Sequence, residues 1–330
     1  MVSGPGAALA EVVGEAVGEP VRVGEMTRLS GGASRETWAF DAVHPDGRVE
    51  ALILRRDHPG VERVGASMAL EARAIRAAAR VGVPVPEVVA VGEGAEPLGA
   101  PFLVMARIEG ETIPRRILRD EAWAGARPVL AAQCGTALAR LHRLDPAGLD
   151  GLEREDPLEH NRGVLDELGE AHPAFELGLR WLEGHRPPPG PAAVVHGDFR
   201  HGNLIIGPEG LRAVLDWELV HAGDPLEDLG WLCVKAWRFG AELPVGGFGS
   251  YDQLVAAYEA ESGVSVDREV LRWWETLGTL RWGVICIMQA FAHTSGAVRS
   301  VELAAIGRRV CENELDLLDL LPAPWDGRSR

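Results

Sequence analysis

Val194-Val195-His196-Gly197-Asp198-Phe199-Arg200-His201-Gly202-Asn203, followed by Val214-Leu215-Asp216-Trp217-Glu218, decides how this chain is read. Two apolar runs each deliver an aspartate. An asparagine stands between them, five residues after Asp198 and thirteen before Asp216. Hard oxygen ligands on adjacent loops suit Mg²⁺, which takes one or two protein carboxylates plus substrate phosphates. The other aspartate is then available to accept a proton from an attacking hydroxyl. As isolated residues, Asp198 and Asn203 would read as turn caps; the whole string points to chemistry.

Working outward, residues 21–29 and 36–43 read as strands around Ser30-Gly31-Gly32-Ala33-Ser34, and residues 50–55 as a third strand. His44-Pro45-Asp46-Gly47 between the last two is a hairpin signal. Residues 68–81 place Leu70, Ala74 and Ala77/Ala78 at helical spacing, and Pro84 and Pro86 end the pattern. Residues 88–91 and 102–107 read as two more strands. This order lacks the βαβ alternation of a doubly wound sheet. Beyond Gly110 the pattern is mostly helical: 121–144, 158–183, 226–237, 251–261, 268–291 and 301–321. Short apolar runs at 194–195, 204–206 and 211–215 follow the stiff connector Pro187-Pro188-Pro189-Gly190-Pro191. The expected class is α+β: a small mixed β lobe (residues 1–107), then a large helical lobe (residues 108–330).

The chain has 330 residues and a net charge of −16, from 33 Lys+Arg against 49 Asp+Glu. Neutralising a phosphate backbone needs a basic surface, so nucleic acid is not an expected partner. Residues 282–292, the longest apolar run, are interrupted by Gln289 and fall far short of the ~20 residues that span a bilayer. No basic-then-apolar leader opens the sequence. The expectation is a cytoplasmic protein without a membrane partner. Cys134, Cys233, Cys286 and Cys311 form no CxxC pair, and His196, His201 and His221 lack an HExxH spacing, so zinc is not expected.

His196-Gly197-Asp198 through Asn203 resembles the catalytic loop of aminoglycoside-phosphotransferase-like kinases, which share the protein-kinase-like two-lobed fold. Asp216-Trp217-Glu218 resembles their metal-binding segment. The resemblance runs from Leu29-Ser30-Gly31-Gly32-Ala33-Ser34 to Gly223-Asp224-Pro225-Leu226-Glu227-Asp228-Leu229-Gly230-Trp231. It points in particular to the branch that includes the kinase-like regions fused to some acyl-CoA dehydrogenases. It implies transfer of the γ-phosphate of ATP or GTP, with Mg²⁺, to a hydroxyl of a small molecule, either a hydroxylated metabolite or an amino sugar. Asp198 matches the catalytic base, and Asn203 and Asp216 match the Mg²⁺ ligands. His196 supports the loop and Asp228 braces it from the following helix. Ser30, Gly31, Gly32, Ala33 and Ser34 would cover the phosphates, and the backbone near Met105 and Arg107 would meet the purine. A protein kinase is set aside because no Ala-Pro-Glu segment follows the metal motif at a kinase-like distance.

One departure stands out. The third strand should carry a lysine that contacts the phosphates and pairs with a helix glutamate. The only lysine in the chain is Lys235. Arg55 occupies the matching position, and Glu71, sixteen residues later, is its matching partner. The missing lysine motivates an alternative expectation, a catalytically weak nucleotide-binding regulatory module. Arg35 reads as an exposed strand residue. Trp231, Trp273, Trp274 and Trp282 read as core between helices or as the wall of a substrate pocket.

Overall fold

The computed structural model describes residues 5–29, 35–58, 65–94 and 96–321. The proposed phosphate turn, Ser30 to Ser34, lies outside the described residues. The chain opens with helix α1 (Pro5–Val17), which the strand-centred reading missed. Its Leu9 and Val13 are fully buried against one face of an antiparallel sheet; each such burial stabilises by roughly 1.5–3 kcal/mol. The sheet holds β1 (Arg22–Val23), β2 (Thr27–Arg28), β3 (Arg35–Val43), β4 (Val49–Asp57), β5 (Val88–Gly92) and β6 (Phe102–Ala106). Their order is β1-β3-β4-β6-β5, with β2 also on β3. The single strand expected over residues 21–29 is therefore two short ones. The β3–β4 hairpin turns at Gly47, whose φ of 88° suits glycine.

Strand alternation then separates two environments. Phe40, Ala42, Leu52, Leu54, Phe102 and Val104 face α1. The opposite face of β4 and β6 presents Ile53 and Met105 to helix α2 (Met68–Arg80) and the main core. Arg55 and Asp57 share the phase of Ile53. Ser67 caps α2 by accepting from the Leu70 amide at 3.1 Å.

The second lobe contains α3 (Pro114–Arg119), α4 (Arg127–Leu141), α5 (Pro157–Leu168), α6 (Pro173–Gly184), β7 (Ala193–Val195), β8 (Leu204–Gly207), β9 (Gly210–Val214), β10 (His221–Gly223), α7 (Leu226–Cys233), α8 (Tyr251–Ser262), α9 (Arg268–Thr294), α10 (Val301–Gly307) and α11 (Val310–Leu320). Several long helices expected from periodicity are interrupted. Gly169, at φ 68°, and Pro173 split the 158–183 segment. Pro128 sits in the first turn of α4, so that helix starts at Arg127 rather than at Glu121. Val234 turns out of helix after Cys233, and Arg308 and Arg309 separate α10 from α11.

The lobes share one core. Residues of α2 pack in the same cluster as α4, Val194, Phe199, Leu204, Val214 and Trp217. Backbone bonds cross as well: Val214 N–H to Pro84 O at 2.9 Å and Ala66 N–H to Glu218 O at 2.7 Å. Among the described residues, no helix is long and apolar enough to cross a membrane.

Candidate active site

The loop after β7 is held from below by helix α7. The Asp228 carboxylate, fully buried, accepts the amides of His196 (2.8 Å) and Gly197 (2.9 Å) and faces His142 Nε2 at 3.2 Å. Burial pushes the Asp228 carboxyl up, but His142 and these donors outweigh it and hold the group below its usual range. Asp228 thus sits where the resemblance places a brace. Gly197 has φ 79°, and a Cβ there would lie 2.4 Å from Leu219 O. Only glycine fits both demands.

His196 is buried. Its Nδ1 accepts from the Asp198 amide at 3.1 Å, so Nε2 carries the proton and donates to Leu215 O at 3.0 Å. Burial pushes its pKa down, which agrees with a neutral ring. His196 therefore ties the Asp198 loop to the Asp216 segment. The Asn203 carbonyl does the same by accepting from the Leu215 amide at 2.8 Å.

Asp198 is fixed at both oxygens. Oδ1 accepts from Trp231 Nε1 at 2.8 Å and Arg200 Nε at 3.0 Å. Oδ2 accepts from Asn203 Nδ2 at 2.6 Å and Arg200 Nε at 3.2 Å. Asn203 Nδ2 also donates to the Asp198 carbonyl at 3.0 Å. Two acceptors face that nitrogen, which fixes the amide orientation and leaves Oδ1 as the atom available to an ion.

Asp216 has φ 67°, a backbone state that non-glycine residues seldom adopt. Its Oδ1 accepts from Arg55 Nη2 at 2.6 Å. Burial raises its pKa, and the Arg55 guanidinium overcomes that, leaving the carboxyl below its usual range. Arg55 Nη1 also reaches Glu71 Oε2, at 3.4 Å. The expected Arg55–Glu71 pair is present, but Asp216 is the nearer partner.

Arg35 corrects the sequence reading. It is only 4% exposed and not on the surface. It pairs with Glu71 Oε1 through Nη1, and its Nε lies 3.3 Å from Asp57 and 3.7 Å from Glu218. Register explains this: Arg35 stands opposite Asp57, on the α2 face of the sheet. Two arginines therefore share one buried glutamate.

At the strand end, Met105 is buried and Arg107 pairs with Asp41 at 3.3 Å. The amides of Ala106 and Arg107 donate to Glu87 O (2.8 Å) and Ala51 O (2.9 Å). Both amides are therefore spent within the chain, and neither is free for a ligand. Trp231 and Arg200 are the contacts that the motif did not single out. Arg200 was visible inside the loop; Trp231 had no spacing signal linking it to Asp198.

Residues 25–274 match the profile of the phosphotransferase enzyme family. The chain belongs to that family. It is 33% identical over 209 residues to mouse acyl-CoA dehydrogenase family member 10, covering 59% of this chain and 19% of the mouse protein. It is 32% identical to the chicken family member 11, over 56% of this chain and 26% of that protein. It thus spans about a quarter or less of these relatives. Among solved structures, a choline/ethanolamine kinase family protein from Mesorhizobium loti superposes with a TM-score of 0.62 at 23% identity, covering 91% of this chain and 89% of that one. Spectinomycin phosphotransferase in complex with ADP and spectinomycin gives 0.63 at 13% identity, covering 95% and 98%. The fold is that of the kinase-like phosphotransferases, α+β with a sheet-based lobe and a helical lobe.

Proposed function

We propose that the protein is a Mg²⁺-dependent small-molecule kinase that moves the γ-phosphate of ATP or GTP to an alcohol. The observation that carries this reading is the fixed carboxylate of Asp198, wired through His196, Leu215 and Asn203 to Asp216. A nucleotide-binding module without catalysis has no use for a positioned base, which weighs against the alternative.

The donor set fits magnesium. Asn203 Oδ1 and the Asp216 carboxylate are hard oxygens, and among the described residues no group of three His, Cys, Asp or Glu offers a richer cage. When bound, the ion would neutralise phosphate charge. The chain's own residues do the rest. Asp198 orients the acceptor hydroxyl and takes its proton. Arg55 presents a guanidinium fork to the phosphates. Ser30 to Ser34 cover them, and residues 1–107 form the nucleotide lobe, with the purine at the lobe junction that follows β6. Residues 108–330 hold the acceptor, a hydroxylated metabolite or an amino sugar. The ADP seen in the spectinomycin enzyme supports a nucleotide donor here.

The test is nucleotide consumption against a panel of hydroxylated compounds, with Asp198→Asn as control. The variant should lose turnover and keep Mg-nucleotide binding. Wild-type turnover in Asp198→Asn would remove the base from this account.

A further inference from the structure

Arg200 and Asn203, two of the three side chains that hold Asp198, belong to the same loop and move with it. Trp231 does not. It reaches Asp198 from α7, 33 residues away, and its ring is only 3% exposed. The same helix carries Asp228, which fixes the backbone of residues 196 and 197. Asp228 and Trp231 lie three apart, so one helical face meets the loop twice. One contact sets the backbone and the other sets the carboxylate.

Trp231 is itself clamped. The Arg281 guanidinium lies 4.8 Å from its ring centroid, and Trp237 packs against it, tilted by 59°, with ring centroids 5.1 Å apart. Arg281 pairs with Glu227 at 3.1 Å, and Glu227 pairs with His221 Nε2 at 3.1 Å. His221 Nδ1 faces Leu219 O at 2.8 Å, the carbonyl that packs on Gly197. Both His221 nitrogens face acceptors, so the ring is a charged double donor. The contacts close a ring: Gly197, Leu219, His221, Glu227, Arg281, Trp231, Asp198. Gly230 and Gly278 let α7 and α9 approach closely, since a Cβ at either would fall within 3 Å of the other helix or of Val234.

We propose that Trp231 is a positioning residue for phosphoryl transfer, its indole N–H locking the Asp198 carboxylate rotamer from outside the catalytic loop, with Arg281 and Glu227 holding the indole in place. This rests on the reading of Asp198 as the base. The N–H supplies orientation and touches neither nucleotide nor acceptor.

The probe is MgATP hydrolysis with water as acceptor, followed by ADP release. Trp231→Phe removes the N–H and keeps an aromatic ring beneath Arg281. It should lower kcat by about ten- to a hundredfold, the range expected when a reacting group loses its alignment, with KM for ATP unchanged within about twofold. In the Asp198→Asn background, read on the Mg-nucleotide binding that this variant keeps, it should have no further effect, because the indole acts only through the carboxylate. Glu227→Gln, which loosens Arg281 while leaving the indole intact, should show the same kcat-only pattern at smaller size. A raised KM with intact kcat would make Trp231 a ligand-binding residue instead. A loss of Mg-nucleotide binding on adding Trp231→Phe to the Asp198→Asn background would make it structural. Either result overturns the proposal. Turnover by Asp198→Asn itself would sink the base assignment. An inactive Asp198→Asn beside a fully active Trp231→Phe would sink only the role of Trp231.

Discussion

Replacing Arg35 by methionine should cost more stability than replacing Glu71 by glutamine, although both changes break the same buried pair. The asymmetry comes from what each leaves behind. Glu71 is fully buried, and without Arg35 its Oε1 has lost its partner, with only the 3.4 Å contact from Arg55 to Oε2 remaining. Stranding a buried charge in this way costs about 3–5 kcal/mol. Glutamine at position 71 keeps the shape and an acceptor oxygen. Arg35 then retains Asp57 at 3.3 Å and the Ala66 carbonyl at 3.3 Å, and Arg55 retains Asp216 at 2.6 Å. That change should cost about 1–1.5 kcal/mol, the net worth of a typical hydrogen bond. With an unfolding entropy of roughly 2 cal/mol/K per residue, each kcal/mol shifts the melting temperature by roughly 1.5 °C in a chain of this length. Arg35→Met should therefore melt about 4.5–7.5 °C lower and Glu71→Gln about 2 °C lower, by scanning calorimetry at pH 7. The pH dependence adds a second check. Burial already pushes the Glu71 carboxyl up, with Arg55 and Arg35 opposing it. Losing Arg35 raises it further, so the deficit of Arg35→Met should shrink as pH falls and Glu71 protonates. An equal or larger loss in Glu71→Gln would refute the claim that Arg35 depends less on Glu71 than Glu71 depends on Arg35.

Asp216→Asn, chosen because asparagine tolerates the positive φ of this position, should weaken nucleotide binding in the presence of Mg²⁺. Without Mg²⁺ it should leave binding unchanged or tighter, because Arg55 loses its 2.6 Å carboxylate competitor. Paired calorimetric titrations decide this, and equal losses in both conditions would assign Asp216 a structural role. For His221, burial pulls the pKa down, but the Glu227 carboxylate wins and lifts it from 6.5 to about 9. A raised folded-state value means that the stabilisation is fully present below pH 6.5 and is lost as pH rises through about 9. The melting temperature should fall across that window and flatten in His221→Gln; an unchanged slope in the variant would place the titration elsewhere.

Much of the candidate site was legible because it is local. His196, Gly197, Asp198 and Asn203 lie within eight residues, and Asp216 ends the next hairpin, so spacing alone places them on adjacent loops. The β3–β4 hairpin and the extent of α2 were likewise written in turn residues, helical spacing and the prolines that follow it, all short-range properties of the backbone. Arg55 and Glu71 could be matched because one strand and one helix fix their separation.

Tertiary structure alone decided the partners across longer separations. A charged residue at a strand end reads as solvated, and Arg35 is buried only because β3 pairs with β4 in a register that sets it beside Asp57, under α2. Arg55 prefers Asp216, 161 residues away, because the two lobes close on a shared core. Periodicity merged helices that Gly169, Pro173 and Val234 divide, since an apolar pattern can continue through a break in the backbone. Trp231 shows the limit most plainly. Its apolar ring satisfies any helix core, and composition is blind to where its single N–H points. That direction is set by the close packing of α7 on α9 and by the loop that α7 carries. The sequence by itself therefore determined which groups are available for chemistry, and the packing of elements distant in the chain determined which of them hold the others in place.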